Sequence, residues 1–317
     1  MPPVATKIDV HHHMVPEFYA HTLKQLGVDD AAGAALPDWT PEKSLTLMDA
    51  TGIARASLSV SCPGVFFGDA GQAEELARQC NEYGSALRKQ SDRFGFFATV
   101  SQTQADSAVA EVIHACDVLG ADGVTLLSSV DGQYLGHPDY WPLMEELNQR
   151  KAVVFVHPNL PRNASDIRLE LPGYMIEFVF DTTRAVANLI TSGTLEKFPD
   201  IRFILSHAGG TVPYIAWRLS LCDFVLDKDN KFPQGTLHYL KQFYYDTALS
   251  PSPYMLGSVR ELIGMERLLF GSDFPFAPEL LVHAEVSELA NLSLREVEHN
   301  AVAYGNAQAL FGNLDSE

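Results

Sequence analysis

Apolar residues come along this chain in short, nearly unbroken runs, separated by longer stretches in which they recur every three or four positions. Eight of the runs read as strands: TKIDVHH (6–12), ARASLSVS (54–61), FGFFATV (94–100), DGVTLL (122–127), AVVFVH (152–157), IRFILSH (201–207), QFYYDTA (242–248) and ERLLFGS (266–272). Continuous apolar runs of this length suit strands covered on both faces, as in a parallel sheet. Helical periodicity marks the stretches 73–90, 106–120, 140–151, 213–226 and 294–311 between or after them. Eight such repeats in 317 residues fit a single-domain (β/α)8 TIM barrel over 1–317. An open doubly wound sheet would call for a glycine-rich phosphate loop after the first strand, and the residues there, HHHMVP, offer none. Two irregular segments, 27–41 and 157–178, follow strand ends and are expected to form loops over a site.

The barrel reading gives the polar residues a common address. His11 and His13 stand at the end of the first strand run, His157 ends the fifth and His207 the sixth; Asp273 follows the eighth, in FGSDFPF. The C-terminal ends of barrel strands converge on one mouth, so these residues are distant in sequence and expected close in space. Imidazoles with a carboxylate suit a divalent transition metal, with room left for water or substrate. Successive side chains of a strand alternate faces, so His11 and His13 can share the interior while His12 faces the helical layer.

Each residue also has a plain reading: HHH as a tag remnant, His157 as a turn residue before proline, His207 as the lead into a Gly-Gly turn, Asp273 as a turn cap. Their joint placement carries the metal reading, not any one of them. His21, His114, His238, His283 and His299 fall in helical patterns and are expected at the surface or in packing, and Asp9 and Asp246 are expected to be hydrogen-bonded inside the barrel.

Charge and composition narrow the chemistry. With 22 basic and 40 acidic side chains the formal charge is −18, which disfavours nucleic acid and acidic lipid as partners. An anionic substrate must then meet local positive charge, from a metal or an arginine. No apolar run reaches the roughly 20 residues a membrane helix needs. The first ten residues lack a signal-peptide core, and Cys62, Cys80, Cys116 and Cys222 form no CxxC pair. A cytoplasmic protein with reduced thiols is the expectation.

The segments DVHHH (9–13), VHPNLP (156–161), LSHAGG (205–210), FYYDTA (243–248) and FGSDFPF (270–276) resemble the amidohydrolase superfamily. More narrowly they resemble its metal-dependent decarboxylase branch, which includes aminocarboxymuconate semialdehyde decarboxylase. Stretches 95–100, 121–127, 134–137 and 191–214 are similar to the 6-methylsalicylate decarboxylases within that branch. The resemblance runs over nearly the whole chain. It implies His11, His13, His157 and Asp273 as metal ligands, His207 as the histidine that orients or deprotonates metal-bound water, and a homodimer in which Arg218 reaches a substrate carboxylate. Strand run 122–127 has no lysine to bridge two ions, so one divalent metal is expected. Zinc suits the donors best and manganese is the alternative.

One departure bears on substrate. Branch members acting on dicarboxylates carry an arginine after the first helix, and GVDDAAGAALPDWTPEK here has none. A second substrate carboxylate would be left unpaired, which is costly, so a monocarboxylic aromatic acid is expected. Trp39, Phe66 and Phe67 are candidates for its apolar wall. The implied reaction is non-oxidative decarboxylation of a salicylate-like acid, 6-methylsalicylate best of all, with Asp273 or His207 delivering the proton. Two alternatives use the same residues: hydrolysis of a small lactone or amide by a metal-bound hydroxide, and a non-catalytic, metal-stabilised scaffold.

Overall fold

The computed structural model describes residues 6–166, 169–226 and 229–312. Residues 167 and 168 of the segment 157–178, and both ends of the 1–317 domain reading, lie outside the described residues. Eight parallel strands form the barrel: β1 Lys7–His13, β2 Ile53–Ser59, β3 Phe94–Thr99, β4 Gly123–Leu127, β5 Val153–His157, β6 Arg202–Leu205, β7 Tyr244–Asp246 and β8 Leu268–Leu269. They follow one another in sequence order around the sheet. The seam between the last and first strands is joined by Val10 N–H to Phe270 O at 3.0 Å, Asp273 N–H to His11 O at 2.8 Å and His13 N–H to Phe274 O at 2.7 Å. All eight expected strands are present. The last three are shorter than their apolar runs, because the chain leaves the ladder early to turn into the mouth.

The helices that cover the barrel include α1 Glu17–Gln25, α2 Pro41–Thr51, α3 Ala70–Gln90, α4 Ala105–His114, α5 Trp141–Gln149, α6 Gly173–Thr191, α7 Val212–Ser220, α8 Pro253–Ile263 and α9 Glu279–Asn291. Periodicity alone picks out α3, α4, α5 and α7; α1, α2, α6, α8 and α9 were not foreseen. For two of these the start signal is nonetheless in the residues. Thr40 and Ser252 each accept a hydrogen bond from the backbone three residues on, and each is followed by a proline in the first turn. The segment 27–41 contains a small hairpin, Asp30–Ala31 against Ala34–Ala35. The far end of 157–178 is already helical, as the start of α6.

The barrel interior has two layers of opposite character. Ile8, Val10, Phe97, Val153, Phe155, Ile204 and Leu269 make one apolar cluster, closed from below by Ala307 and Leu310 of the helix Asn306–Phe311. Burying each of the larger side chains contributes about 1.5–3 kcal/mol. Above this plug lie the histidines; the His11 ring meets Phe155 edge-on at 4.9 Å.

Strand β1 reaches the upper layer by an irregular route. Ile8 and Val10 share the interior cluster, so strict alternation would bring His12 inward next and send His11 and His13 out. The pairing with β2 slips between Asp9, opposite Ala56, and His12, opposite Leu58. Two residues of β1 thus stand against one of β2, a β-bulge that reverses the faces above it. Asp9 braces the slip. Its Oδ1 accepts from the His11 and Ser272 amides at 3.1 Å each, and its Oδ2 accepts from Ser272 Oγ at 2.6 Å and lies 2.9 Å from His12 Nδ1.

Candidate active site

His11, His13, His157 and Asp273 converge at the mouth, all buried, with one potential ligand atom from each lying within 4.8 Å of the others. Each imidazole is held from behind at Nδ1: His11 by Asp246 Oδ2, His13 by Ser59 Oγ and His157 by Pro158 O, each at 2.8 Å. These contacts fix the ring orientation and leave Nε2 facing inward. The Nε2 atoms of His11 and His13 stand 3.0 Å apart and share Asp273 Oδ1 at 3.2 and 2.9 Å. The two Nε2 atoms and Asp273 Oδ1 thus face one point, where a proton shared between them or a metal ion would be accommodated.

The electrostatics agree. Burial opposes charge on His11, but Asp246 and Asp273 outweigh it and hold its pKa up at about 10. Burial pushes His13 down to about 4 and His157 well below the usual range, helped by their histidine neighbours. Burial would raise Asp273, yet the surrounding imidazoles hold it well below the usual carboxylate range. Three imidazoles and an ionised carboxylate suit a single divalent cation, whose charge would take the place of the proton held on His11.

His207 stands beside this group, with Nε2 3.4 Å from Asp273 Oδ2 and Nδ1 without a partner among the described residues. Its amide donates to Asp246 Oδ1 at 2.9 Å, so Asp246 positions both His11 and His207. His207, Ala208 and Asp273 have φ values of 53°, 54° and 56°, strained for residues with a side chain. The LSHAGG turn can be this tight because a Cβ on Gly209 would meet the Tyr245 ring at 2.5 Å, and one on Gly210 the Val179 carbonyl at 2.1 Å.

A cavity of about 660 Å³ opens over the site. His157, His207 and Asp273 form its floor, and Tyr174, Met175, Phe178, Leu249, Phe276 and Leu281 much of its wall. No lysine or arginine is among the described residues that line it.

The other expected substrate contacts lie elsewhere. Trp39 is buried in the core, where Nε1–H donates to Ser44 Oγ at 2.8 Å; that hydroxyl also meets His12 Nε2 at 2.8 Å. Phe66 and Phe67 line a separate cavity of about 450 Å³ with Thr99, Gln102, Thr125 and Asn159. Arg218 projects from the exposed face of α7 and is not among the cavity residues. Aromatic residues on loops carry no periodicity to say which way they turn, and tertiary packing drew these three away from the site. His12 faces α2 and takes no part in the cluster. The wall supplied by α9 was missed, whereas Tyr174, Met175 and Phe178 of α6 fall within the segment 157–178 expected over the site. For Glu285 a signal existed: an acid between Val282 and Leu289 on the buried face of a helix.

Comparison with known proteins places the chain. The family model described as amidohydrolase matches residues 8–313. The chain belongs to the amidohydrolase family. Decarboxylase yanB of Aspergillus niger is 38% identical over 96% of this amidohydrolase and 87% of the relative. The 6-methylsalicylic acid decarboxylase of Penicillium expansum is 36% identical over 97% of each chain. Among solved structures, an amidohydrolase II superposes with a TM-score of 0.91 at 30% identity, covering 96% of this chain and 99% of the other. A dihydroxybenzoic acid decarboxylase from Polaromonas, solved with manganese and 2-nitroresorcinol, gives 0.84 at 24% identity over 97% of each chain, a likeness of fold.

Proposed function

We propose that this amidohydrolase is a metal-dependent, non-oxidative decarboxylase of a salicylate-like aromatic monocarboxylic acid, with 6-methylsalicylate the best candidate. The observation that carries the reading is the four-ligand cluster at the floor of a largely apolar cavity with His207 beside it, in a chain whose relatives are named decarboxylases. His11, His13, His157 and Asp273 would hold the ion. When bound, a divalent ion supplies the positive charge that receives the substrate carboxylate and its ortho-hydroxyl. The apolar wall holds the ring over the floor and excludes water. The Asp273–His207 pair, in contact at 3.4 Å, delivers a proton to the ring carbon that bears the carboxylate. The C–CO2 bonding pair then returns to the ring, CO2 leaves and aromaticity is restored. A cavity with no lysine or arginine among its described lining residues favours one carboxylate over two.

Zinc is the proposed metal on donor type, with manganese the alternative. A homodimer is part of the proposal. Tyr214, Trp217 and Phe224, at 85%, 75% and 86% exposure, give α7 and the turn after it an apolar outer face around Arg218. Contiguous exposed apolar surface of this kind supports a protein partner, and Arg218 would then act in the partner's cavity. A monomeric mass by light scattering would refute the dimer. A cytoplasmic location is proposed from the four free cysteines; no helix among the described residues is long and apolar enough to cross a membrane.

The test is metal analysis of the purified protein together with a screen for CO2 release from hydroxybenzoates, including 6-methylsalicylate. Ring opening of a lactone or amide without CO2 release would favour the hydrolytic reading. Loss of thermal stability on chelation, with no acid turned over, would favour the scaffold.

A further inference from the structure

Helix α9 brings Glu285 to the cavity wall, where its side chain is only 6% exposed. Neither carboxylate oxygen has a hydrogen-bond partner among the described residues. Val282 and Leu289 beside it on the helix are buried, so Glu285 holds a position that a leucine would fill at no polar cost. Around it the wall is apolar, with Leu249, Phe276, Ala277 and Leu281. A buried carboxyl left unpaired is expensive and calls for a reason.

Burial, with the charge of Asp273, pushes the Glu285 carboxyl up to about 9, against smaller opposing effects of the Leu249 backbone and His11. A protonated carboxyl can both donate a hydrogen bond and accept one, and an ionised carboxylate accepts. No side chain among the described residues takes up that capacity, and beyond the nearby Leu249 backbone the carboxyl faces the cavity.

We infer that Glu285 is a specificity residue, whose carboxyl hydrogen-bonds to a second ring hydroxyl of a hydroxybenzoate. This rests on the decarboxylase reading above but not on 6-methylsalicylate, which carries a methyl group where the inference needs a second hydroxyl; it turns the substrate class toward dihydroxybenzoates. Glu288, at the exposed rim, disfavours a second carboxylate on the ring. A site built around one hydrogen bond discriminates against the analogue that lacks its partner, because the buried group is then left unpaired.

The experiment compares the metal-loaded wild type with Glu285→Leu and Glu285→Gln. CO2 release is measured from salicylate and from 2,4- and 2,6-dihydroxybenzoate, and binding of phenol and resorcinol is measured by calorimetry. The expected result is a wild-type preference of about tenfold in kcat/KM for the better dihydroxy acid, carried by KM, with a matching preference for resorcinol. Glu285→Leu should abolish both preferences, and Glu285→Gln, which keeps a donor and an acceptor, should restore most of them. A wild-type ratio retained in Glu285→Leu, or absent from the wild type, overturns the inference. Failure of the decarboxylase reading shows separately, as no CO2 from any acid, while the phenol and resorcinol binding still decides the role of Glu285.

Discussion

Strands β1 and β5 each deliver histidine to the same proposed ion site, and they do it differently. On β5, Val153, Phe155 and His157 alternate without interruption, so the residues that plug the barrel and the one that faces the ion share a face by simple periodicity. On β1 the plug residues Ile8 and Val10 and the inward histidines His11 and His13 have opposite parity, and only the bulge reconciles them. The regular strand needs no special support; its histidine is held by a backbone carbonyl, Pro158 O. The bulged strand depends on Asp9, a buried carboxylate whose hydrogen bonds tie β1 to Ser272 after β8. One half of the proposed ion site is therefore set by local geometry, and the other by a contact made only once the barrel closes.

Breaking Asp9 should have the largest effect. Asp9→Ala frees the bulge and leaves His12 Nδ1 and two backbone amides without their acceptor. It should cost about 3–5 kcal/mol of stability and weaken metal binding about 100-fold, as read by denaturant melts and metal titration. Metal binding unchanged in a folded Asp9→Ala protein would show that the bulge stands without its brace.

Glu285 sharpens the comparison, since it is a buried acid with no side-chain partner among the described residues. Its folded-state pKa of about 9 lies above the unfolded value near 4.5. Its contribution to stability is therefore full below pH 4.5 and is lost as the pH rises toward 9. Glu285→Gln does not titrate, so it should gain on the wild type across that window, by about 3 kcal/mol at pH 7. A stability difference between the two proteins that stays flat from pH 5 to pH 9 would contradict this.

His12 lies on the outward side of the bulge. His12→Ala should cost about 2 kcal/mol, by leaving Asp9 Oδ2 and Ser44 short of a partner, and should keep one metal ion per chain. Loss of the ion in a folded His12→Ala protein would mean that His12 belongs to the cluster. The mildest change is on the regular strand: Phe155→Leu should cost about 1 kcal/mol with metal affinity unchanged within about threefold, the expectation for a face set by alternation alone.

These differences explain what could be read from the residues and what could not. The eight strands were legible because strands covered on both faces are written as apolar runs, and the histidines because they sit where those runs end. The pairing of His11 with His13 followed from their spacing, but which of the two faces they would take did not, since the bulge is set by Asp9 and Ser272 at opposite ends of the chain. Trp39, Phe66 and Phe67 were aromatic residues near the mouth whose direction depends on packing that no local pattern encodes. The start of α6 was placed over the site as part of 157–178, though not as a helix; the wall on α9 stayed hidden because that helix is apolar enough to read as ordinary core, and Glu285 alone marked its face as different.

The central claim is that His11, His13, His157 and Asp273 hold one divalent ion that this chain uses to release CO2 from an aromatic monocarboxylic acid. The most direct measurement is metal content and CO2 release from 6-methylsalicylate, taken side by side on the wild type and on folded His11→Ala and Asp273→Ala proteins. The account predicts one ion per wild-type chain with one CO2 per acid consumed, and loss of both in each variant. CO2 release undiminished in either metal-free variant would contradict it.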